Sequence, residues 1–209
     1  MFVEGTLRWQ VTEDCPWDLL MALCLRDLAG MTDAGEPPLP AVAPAVLPSS
    51  AGALARSTLA SSVQTDTAEL RAQWGAWWRR TAVRESRPVA SALRPPHFAE
   101  FDRELALQDL VENNYEAAYA WSAARFDEYT DSRTRRHASL TADVVDVVRD
   151  REHALRRQAG YFRLDLLVLP LASSGAWVVA PHTVAISQSL RDDSSAFRRW
   201  LRPIVHALV

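Results

Sequence analysis

Two ionisable side chains, Asp165 and His182, interrupt the most apolar part of the sequence. Asp165 stands among leucines in the run 161–171, and His182 stands among valines and alanines in the run 176–187. The small residues at 172–175 separate the two runs and predict a turn. If the runs pair as an antiparallel hairpin across that turn, the register places Asp165 directly opposite His182, on one face of the ribbon.

The chemistry available to such a pair is that of an oriented base. A carboxylate beside an imidazole raises the pKa of the imidazole and fixes which nitrogen carries the proton. A small hydrolase could use Asp165 and His182 in this way, with Ser187 or Ser189 as the nucleophile. However, the chain has no Gly-x-Ser-x-Gly motif, and Ser187 falls on the opposite face from His182. We therefore favour a structural ion pair and assign no catalytic residue, keeping the pair as the candidate for the alternative.

The two runs need other elements to position them. Residues 2–12 alternate apolar and polar side chains, which is typical of a half-buried strand. A lone hairpin is marginal in water, so we expect strand 2–12 to join the hairpin 161–187 in a small antiparallel sheet. Helical patterns fill the middle of the chain, and another ends it. This order predicts a mostly helical α+β fold in a single domain, 1–209.

Apolar periodicity predicts where the helices lie. They cover about 17–28, 66–81, 97–128 and 141–158, and a final helix follows the capping residues at 192–195. The polar, arginine-rich residues 130–137 predict a loop between the third and fourth helices. On the third helix, nine side chains keep a helical period: Phe98, Phe101, Leu105, Leu110, Val111, Tyr115, Ala118, Trp121 and Phe126.

Residues 35–64 differ in composition from the rest of the chain. Their first half is rich in proline and nearly uncharged, which predicts an extended segment or loop instead of a helix. The leucines and valines within it are too apolar for a freely solvated linker. We expect the segment to lie along the surface of the domain or along a partner.

Tryptophan and arginine stand side by side in two places, at Trp77, Trp78, Arg79 and Arg80 and at Arg199 and Trp200. Both residue types are enriched at the energetic centres of protein interfaces. Adjacent residues on a helix point ~100° apart, so we expect one of Trp77 and Trp78 to face inward and the other to lie near the rim. These six residues form the predicted interface.

Several functions lack the residues that they need. The chain has no glycine-rich phosphate loop, no CxxC and no Glu-x-x-His motif, so we predict no cofactor and no metal. The net charge of −3 disfavours nucleic acid as a partner. No apolar run approaches the ~18 residues of a membrane span, and no basic N-terminus leads into an apolar segment. We expect a cytoplasmic protein without a membrane segment.

These observations favour a non-enzymatic protein that works through protein–protein interaction, as an adaptor or assembly subunit that binds a partner or itself. The alternative is the small hydrolase that uses Asp165 and His182. A third hypothesis is nucleic-acid binding through the tryptophan–arginine clusters, since aromatic stacking and phosphate contacts are what single strands require.

Overall fold

The computed structural model describes residues 2–3, 9–46, 63–83 and 93–209, with side chains for all of these except 2, 3 and 63–66. The chain divides into two compact units. Unit 1 comprises residues 1–15 and 127–209, and unit 2 comprises residues 16–126. The expectation of one domain over 1–209 stays a prediction, and each unit is described by itself below.

The secondary structure of the described residues is predominantly helical. The helices are α1 (Trp17–Leu28), α2 (Val63–Ala82), α3 (Leu105–Leu155), α4 (Gln188–Asp192) and α5 (Ser194–Leu208), with a 3₁₀ turn at Ala99–Phe101. The strands are β1 (Phe2–Val3), β2 (Trp9–Asp14), β3 (Phe162–Leu169), β4 (Ala176–Ala180) and β5 (Thr183–Ser187). The predicted α+β class is confirmed, as are the helix at 17–28 and the helix at the C-terminal end.

The sheet of unit 1 has the strand order β1-β2-β3-β5-β4. Its outer pairs, β1 with β2 and β4 with β5, are antiparallel. Its central pairs, β2 with β3 and β3 with β5, are parallel. The prediction of an antiparallel sheet is therefore wrong for the centre of the sheet.

Both predicted strand arrangements differ from the structure. The single strand 2–12 is two strands, with Phe2 opposite Thr12; residues 4–8 lie outside the described residues. The predicted hairpin 161–187 is also wrong, because β5 lies between β3 and β4. Burial explains this order: every residue of β5 is buried, as in a central strand, whereas β4 exposes Val178 and suits an edge.

One face of the sheet carries the hydrophobic core of unit 1. Strand residues such as Val11, Leu164 and Ile186 pack against Val144 and Val148 of α3 and against Phe197, Leu201 and Val205 of α5. The apolar stripe of α5 recurs every three to four residues, which buries one side of the helix against the sheet. Asp193 caps the N-terminus of α5, and its carboxylate accepts hydrogen bonds from the main chain of Ser195 and Ala196.

The long helix α3 replaces two predicted helices and the loop between them. Residues 130–137 are helical, contain neither glycine nor proline, and are anchored by arginine. Arg133 donates to the carbonyl of Glu13 at 2.9 Å and to the hydroxyl of Tyr129, and Arg136 donates to the carbonyl of Asp192 at 2.8 Å. Polar composition alone predicted a loop, but these arginines bind main-chain acceptors of unit 1.

The core of unit 2 surrounds α1, of which ten residues are buried. Trp74 of α2 donates its indole N–H to the carbonyl of Ala22 at 2.8 Å and stacks on Trp78 at 5.5 Å between ring centroids. Trp77 meets Phe101 edge-on at 5.4 Å. A helix that is buried on nearly all sides needs cover all round, and Trp74 of α2 supplies part of that cover.

The proline-rich segment lies against its own unit. The fully buried guanidinium of Arg26 donates to the carbonyls of Leu39 and Pro40 at 2.9 and 2.8 Å, and Asp27 accepts from the main chain of Val42 at 2.7 Å. The extended course expected for 35–64 is described only as far as residue 46. Residues 47–62 lie outside the described residues, and residues 63 and 64 already belong to α2.

Candidate functional site

The structure does not place Asp165 opposite His182. In the parallel ladder between β3 and β5, Asp165 pairs with Thr183. His182 lies in the turn between β4 and β5, where it is exposed and has a φ of 64°. Across this turn the main-chain N–H of Asp165 donates to the carbonyl of His182 at 2.7 Å. The predicted register is wrong because β5, not β4, is the neighbour of β3.

Asp165 belongs instead to a buried polar row across the sheet. Thr12, Asp165 and Thr183 are register partners on three adjacent strands, and all three are buried. The hydroxyl of Thr12 donates to one carboxylate oxygen of Asp165, and the guanidinium of Arg163 lies 2.6 Å from the other. These contacts satisfy a buried charge, as expected for a structural ion pair.

Ser187 also has a structural role. Its hydroxyl oxygen caps α4 by accepting from the main chain of Leu190 at 3.2 Å, and it accepts from the main chain of Gly175 at 3.0 Å. The side chain is fully buried. Since its lone pairs are engaged by main-chain donors, Ser187 is poorly placed to act as a nucleophile, and His182 is not beside it to act as a base.

A buried ionic network at the end of β2 was not predicted. Arg191 donates through Nε to Glu13 at 2.9 Å, through Nη1 to Asp143 at 3.1 Å and through Nη2 to the carbonyl of Leu140 at 2.8 Å. Its guanidinium also lies 4.0 Å from the centre of the Phe197 ring. Arg191 is 2% exposed and Glu13 is 3% exposed. Both charges have lost their contact with water, and each is stabilised by the opposite charge of the other.

Asp143 links this network to α5. It accepts from Arg198 at 2.7 Å and from Ser194 at 2.8 Å in addition to Arg191. Burial alone raises the pKa of Asp143, but the hydrogen bonds from Arg198, Ser194 and Arg191 outweigh it and hold that pKa below its usual value. Every member of the network is engaged by other protein groups, which indicates a role in stability.

The predicted interface residues divide into buried and exposed ones. Trp77 and Trp78 are 2% and 1% exposed, so the expectation that one of them lies near the rim is wrong. Trp77 packs against Phe101, and Trp78 stacks on Trp74 of the same helix, whose indole N–H is bound to Ala22 of α1. Arg79 and Arg80 are exposed, and Arg80 lies 3.3 Å from Glu104.

The second predicted cluster lies on α5. Arg199 is exposed, and Trp200 is half-buried with its ring 5.6 Å from that of Phe197. Trp200 thus packs at the margin of the core of unit 1, and only part of its surface faces solvent.

A different set of aromatic side chains is presented on unit 2. Trp17, Tyr115, Tyr119 and Phe126 form what we call the aromatic row. Trp17 meets Tyr119 at 5.2 Å and Phe126 at 6.1 Å, both edge-on, and Tyr115 lies 5.8 Å from Tyr119. Tyr119 is 47% exposed and Phe126 is 37% exposed. The row is an ordered group of rings with much of its apolar surface in solvent.

The buried ring of Phe98 and the residue spacing on α3 fix the position of the row. Phe98, which is 4% exposed, packs on Tyr115 at 5.0 Å. Tyr115, Tyr119 and Phe126 are spaced by four and seven residues, so they share one face of α3. The inward face of this part of α3 is instead formed by Leu107, Val111, Ala118 and Ser122.

The periodic set predicted for this helix contains Tyr115 and Phe126 of the row, but it mixes buried and exposed residues. Leu105 and Phe126 are 63% and 37% exposed, and Tyr115 and Trp121 are half-buried. The buried members of the same periodic set are Phe98, Phe101, Val111 and Ala118. Aromatic residues at helical spacing more often lie in the core than on the surface. Periodicity within one helix also could not show that Trp17 of α1 lies beside the aromatic residues of α3.

Within the described ranges, no group of three or more His, Cys, Asp or Glu side chains is arranged to hold a metal ion. None of the helices there is both long and apolar enough to cross a bilayer. Comparison with protein-family models, with curated proteins and with solved structures finds no match to this chain.

Proposed function

We propose that this chain is a non-enzymatic protein-binding or assembly subunit and that the aromatic row is its contact surface. One observation carries the proposal: Tyr119 and Phe126 are large aromatic side chains on an ordered helix, yet they are 47% and 37% exposed. A few residues carry most of the binding energy at protein interfaces, and tryptophan and tyrosine are enriched among them. Aromatic side chains bury a large area each.

The row is suited to binding because its rings are already ordered. Trp17, which belongs to α1, contacts Tyr119 and Phe126, and the buried ring of Phe98 packs on Tyr115. Immobilising a free side chain on binding costs about 0.5–1.5 kcal/mol. Rings that pack on one another before the partner arrives avoid part of this cost.

The surroundings of the row indicate the chemistry of the partner. Glu112 and Glu116 are exposed and lie one turn apart on α3, each three residues before a tyrosine of the row. Burial, then Tyr119 and the charge of Glu116, raise the pKa of Tyr115, which places Glu116 near the row. An apolar centre with an acidic rim fits an apolar partner surface with a basic rim.

Capture from a native lysate tests this proposal. The tagged full-length chain is compared with the double variant Tyr119→Ala/Phe126→Ala and with Leu105→Ala, which removes an exposed apolar side chain from the same helix outside the row. We expect the wild type and Leu105→Ala to retain the same partner protein and the double variant to lose it, while all three keep the same melting temperature. Equal retention by all three proteins would refute the proposal.

The other two functions receive no specific support. The hydrolase requires Asp165 beside His182, and the register separates them. Nucleic-acid binding at α2 requires stacking surfaces next to positive charge, but Trp77 and Trp78 are buried beside the exposed Arg79 and Arg80.

A further inference from the structure

Strand β4 forms one end of the sheet of unit 1, and none of the described strands pairs with its outer edge. Ser187 donates its main-chain N–H to the carbonyl of Gly175 at 3.0 Å, which fixes the phase of the β4–β5 pairing. Antiparallel residue pairs alternate between hydrogen-bonded and non-hydrogen-bonded positions. The main-chain groups of Ala176 and Val178 therefore point away from β5, toward the outer edge.

This edge carries no charged side chain to oppose pairing. Edge strands are commonly guarded by charged side chains, by proline or by an irregularity of the backbone. Residues 166–190 contain no Asp, Glu, Lys or Arg, and Val178 is 70% exposed. The strand is only five residues long, and its second half carries an irregularity between Val178 and Ala180, followed by Pro181.

We propose that β4 pairs antiparallel with β4 of a second copy of this chain, about a two-fold axis at Val178. The strand reads Ala-Trp-Val-Val-Ala, nearly the same in both directions. Such pairing sets Val178 against its own equivalent, Trp177 against Val179, and Ala176 against Ala180. Aromatic and β-branched side chains are favourable cross-strand partners, and no like charges meet.

The symmetry of the strand is the reason to choose a second copy over an unrelated strand. A two-fold axis makes the contact isologous, so each copy uses the same edge and the assembly closes as a dimer. A five-residue strand buries less than the ~1,200 Å² of a standard interface. We therefore expect a weak dimer that dissociates on dilution. The inference is independent of the proposed function, because β4 belongs to unit 1 and the aromatic row to unit 2.

Sedimentation velocity of the full-length chain, from about 10 µM to about 1 mM, tests the pairing with three variants. Val178→Pro removes an N–H that β5 does not use, Val178→Lys keeps the N–H but sets like charges against each other, and Val178→Thr keeps both the N–H and the branched side chain. We expect dimers for the wild type and Val178→Thr, and monomers with an unchanged circular dichroism spectrum for Val178→Lys and Val178→Pro. A wild type that stays monomeric, or a dimer that persists in Val178→Lys, overturns the proposal.

Cross-linking tests the register. Equivalent residues at the axis of a hydrogen-bonded pair have Cα atoms about 5.5 Å apart, within the range of a disulfide. Val178→Cys is therefore expected to form a disulfide-linked dimer under mild oxidation, whereas Ser173→Cys, also exposed but five residues from the axis, is not. Faster dimerisation of Ser173→Cys than of Val178→Cys would contradict the register.

Discussion

Arg191 and Glu13 are 178 residues apart in sequence, yet Nη2 of Arg191 lies 2.8 Å from a carboxylate oxygen of Glu13, and both side chains are buried. Breaking a buried pair by removing one partner leaves an uncompensated charge, which costs about 3–5 kcal/mol. We therefore expect Arg191→Met to lower the free energy of unfolding by about that amount, because the Glu13 carboxylate loses its partner, whereas Asp143 keeps Arg198 and Ser194.

Urea unfolding followed by circular dichroism measures this loss. The matched control is Arg202→Met, since Arg202 lies 4.0 Å from Asp150 and both side chains are more than half exposed. Surface pairs of this kind contribute about 0–1 kcal/mol. Equal losses in the two variants would show that the buried network does not hold unit 1 together.

Asp143 should make stability depend on pH in the acid range. Its pKa is lower in the folded protein than in the unfolded chain, where an Asp titrates near ~3.9. The stabilisation is therefore present above about pH 4 and is lost as the pH falls through the folded pKa. We expect the unfolding free energy of the wild type to fall more steeply between about pH 4 and pH 2 than that of Asp143→Asn.

Urea titrations at a series of pH values give both slopes. Asp193 also has a lowered pKa, but it is present in both proteins and cancels from the difference. Parallel curves for the wild type and Asp143→Asn would mean that Asp143 does not carry this dependence.

His182 adopts a left-handed conformation, with a φ of 64°, which costs a residue with a side chain roughly 1–2 kcal/mol. Glycine adopts it freely. We expect His182→Gly to raise the melting temperature and His182→Ala not to raise it, because alanine keeps the strain. A melting temperature of His182→Gly at or below that of His182→Ala would instead indicate that the imidazole makes a stabilising contact.

Arg26 holds the proline-rich segment against α1 through a planar set of donors to Leu39, Pro40 and Asp27. Lysine cannot reproduce that geometry. We expect Arg26→Lys to speed proteolysis within residues 35–46, measured by mass spectrometry of the early fragments. Arg71→Lys is the control, since Arg71 pairs with Asp33 at an exposed site. Equal cleavage rates in both variants would contradict the role of Arg26.

Local sequence signals predicted local structure well. The helix predicted at 17–28 is α1, and the acidic cap expected before the last helix is present at Asp193. The strand segments were also predicted from their apolar composition, but the order of the strands in the sheet was not. The register of Asp165 depends on β5 inserting beside β3, and a turn signal at 172–175 cannot distinguish that arrangement from a simple hairpin.

The candidate site shows the same limit. Helical spacing grouped Tyr115 with Phe126, but only the packing of Leu107 and Val111 decides which face of α3 turns inward. The Glu13–Arg191 pair had no signal in the sequence, because an acidic residue at the end of a strand is ordinarily exposed.

The most direct test of the central claim is the affinity of the purified partner for single variants of the row, measured by titration calorimetry. A ring at the centre of an interface contributes about 2 kcal/mol or more, so Tyr119→Ala should weaken binding about 30-fold or more. Leu105→Ala should change the dissociation constant by less than about twofold. Unchanged affinity in Tyr119→Ala, with the fold intact, would contradict the claim that the aromatic row is the binding surface.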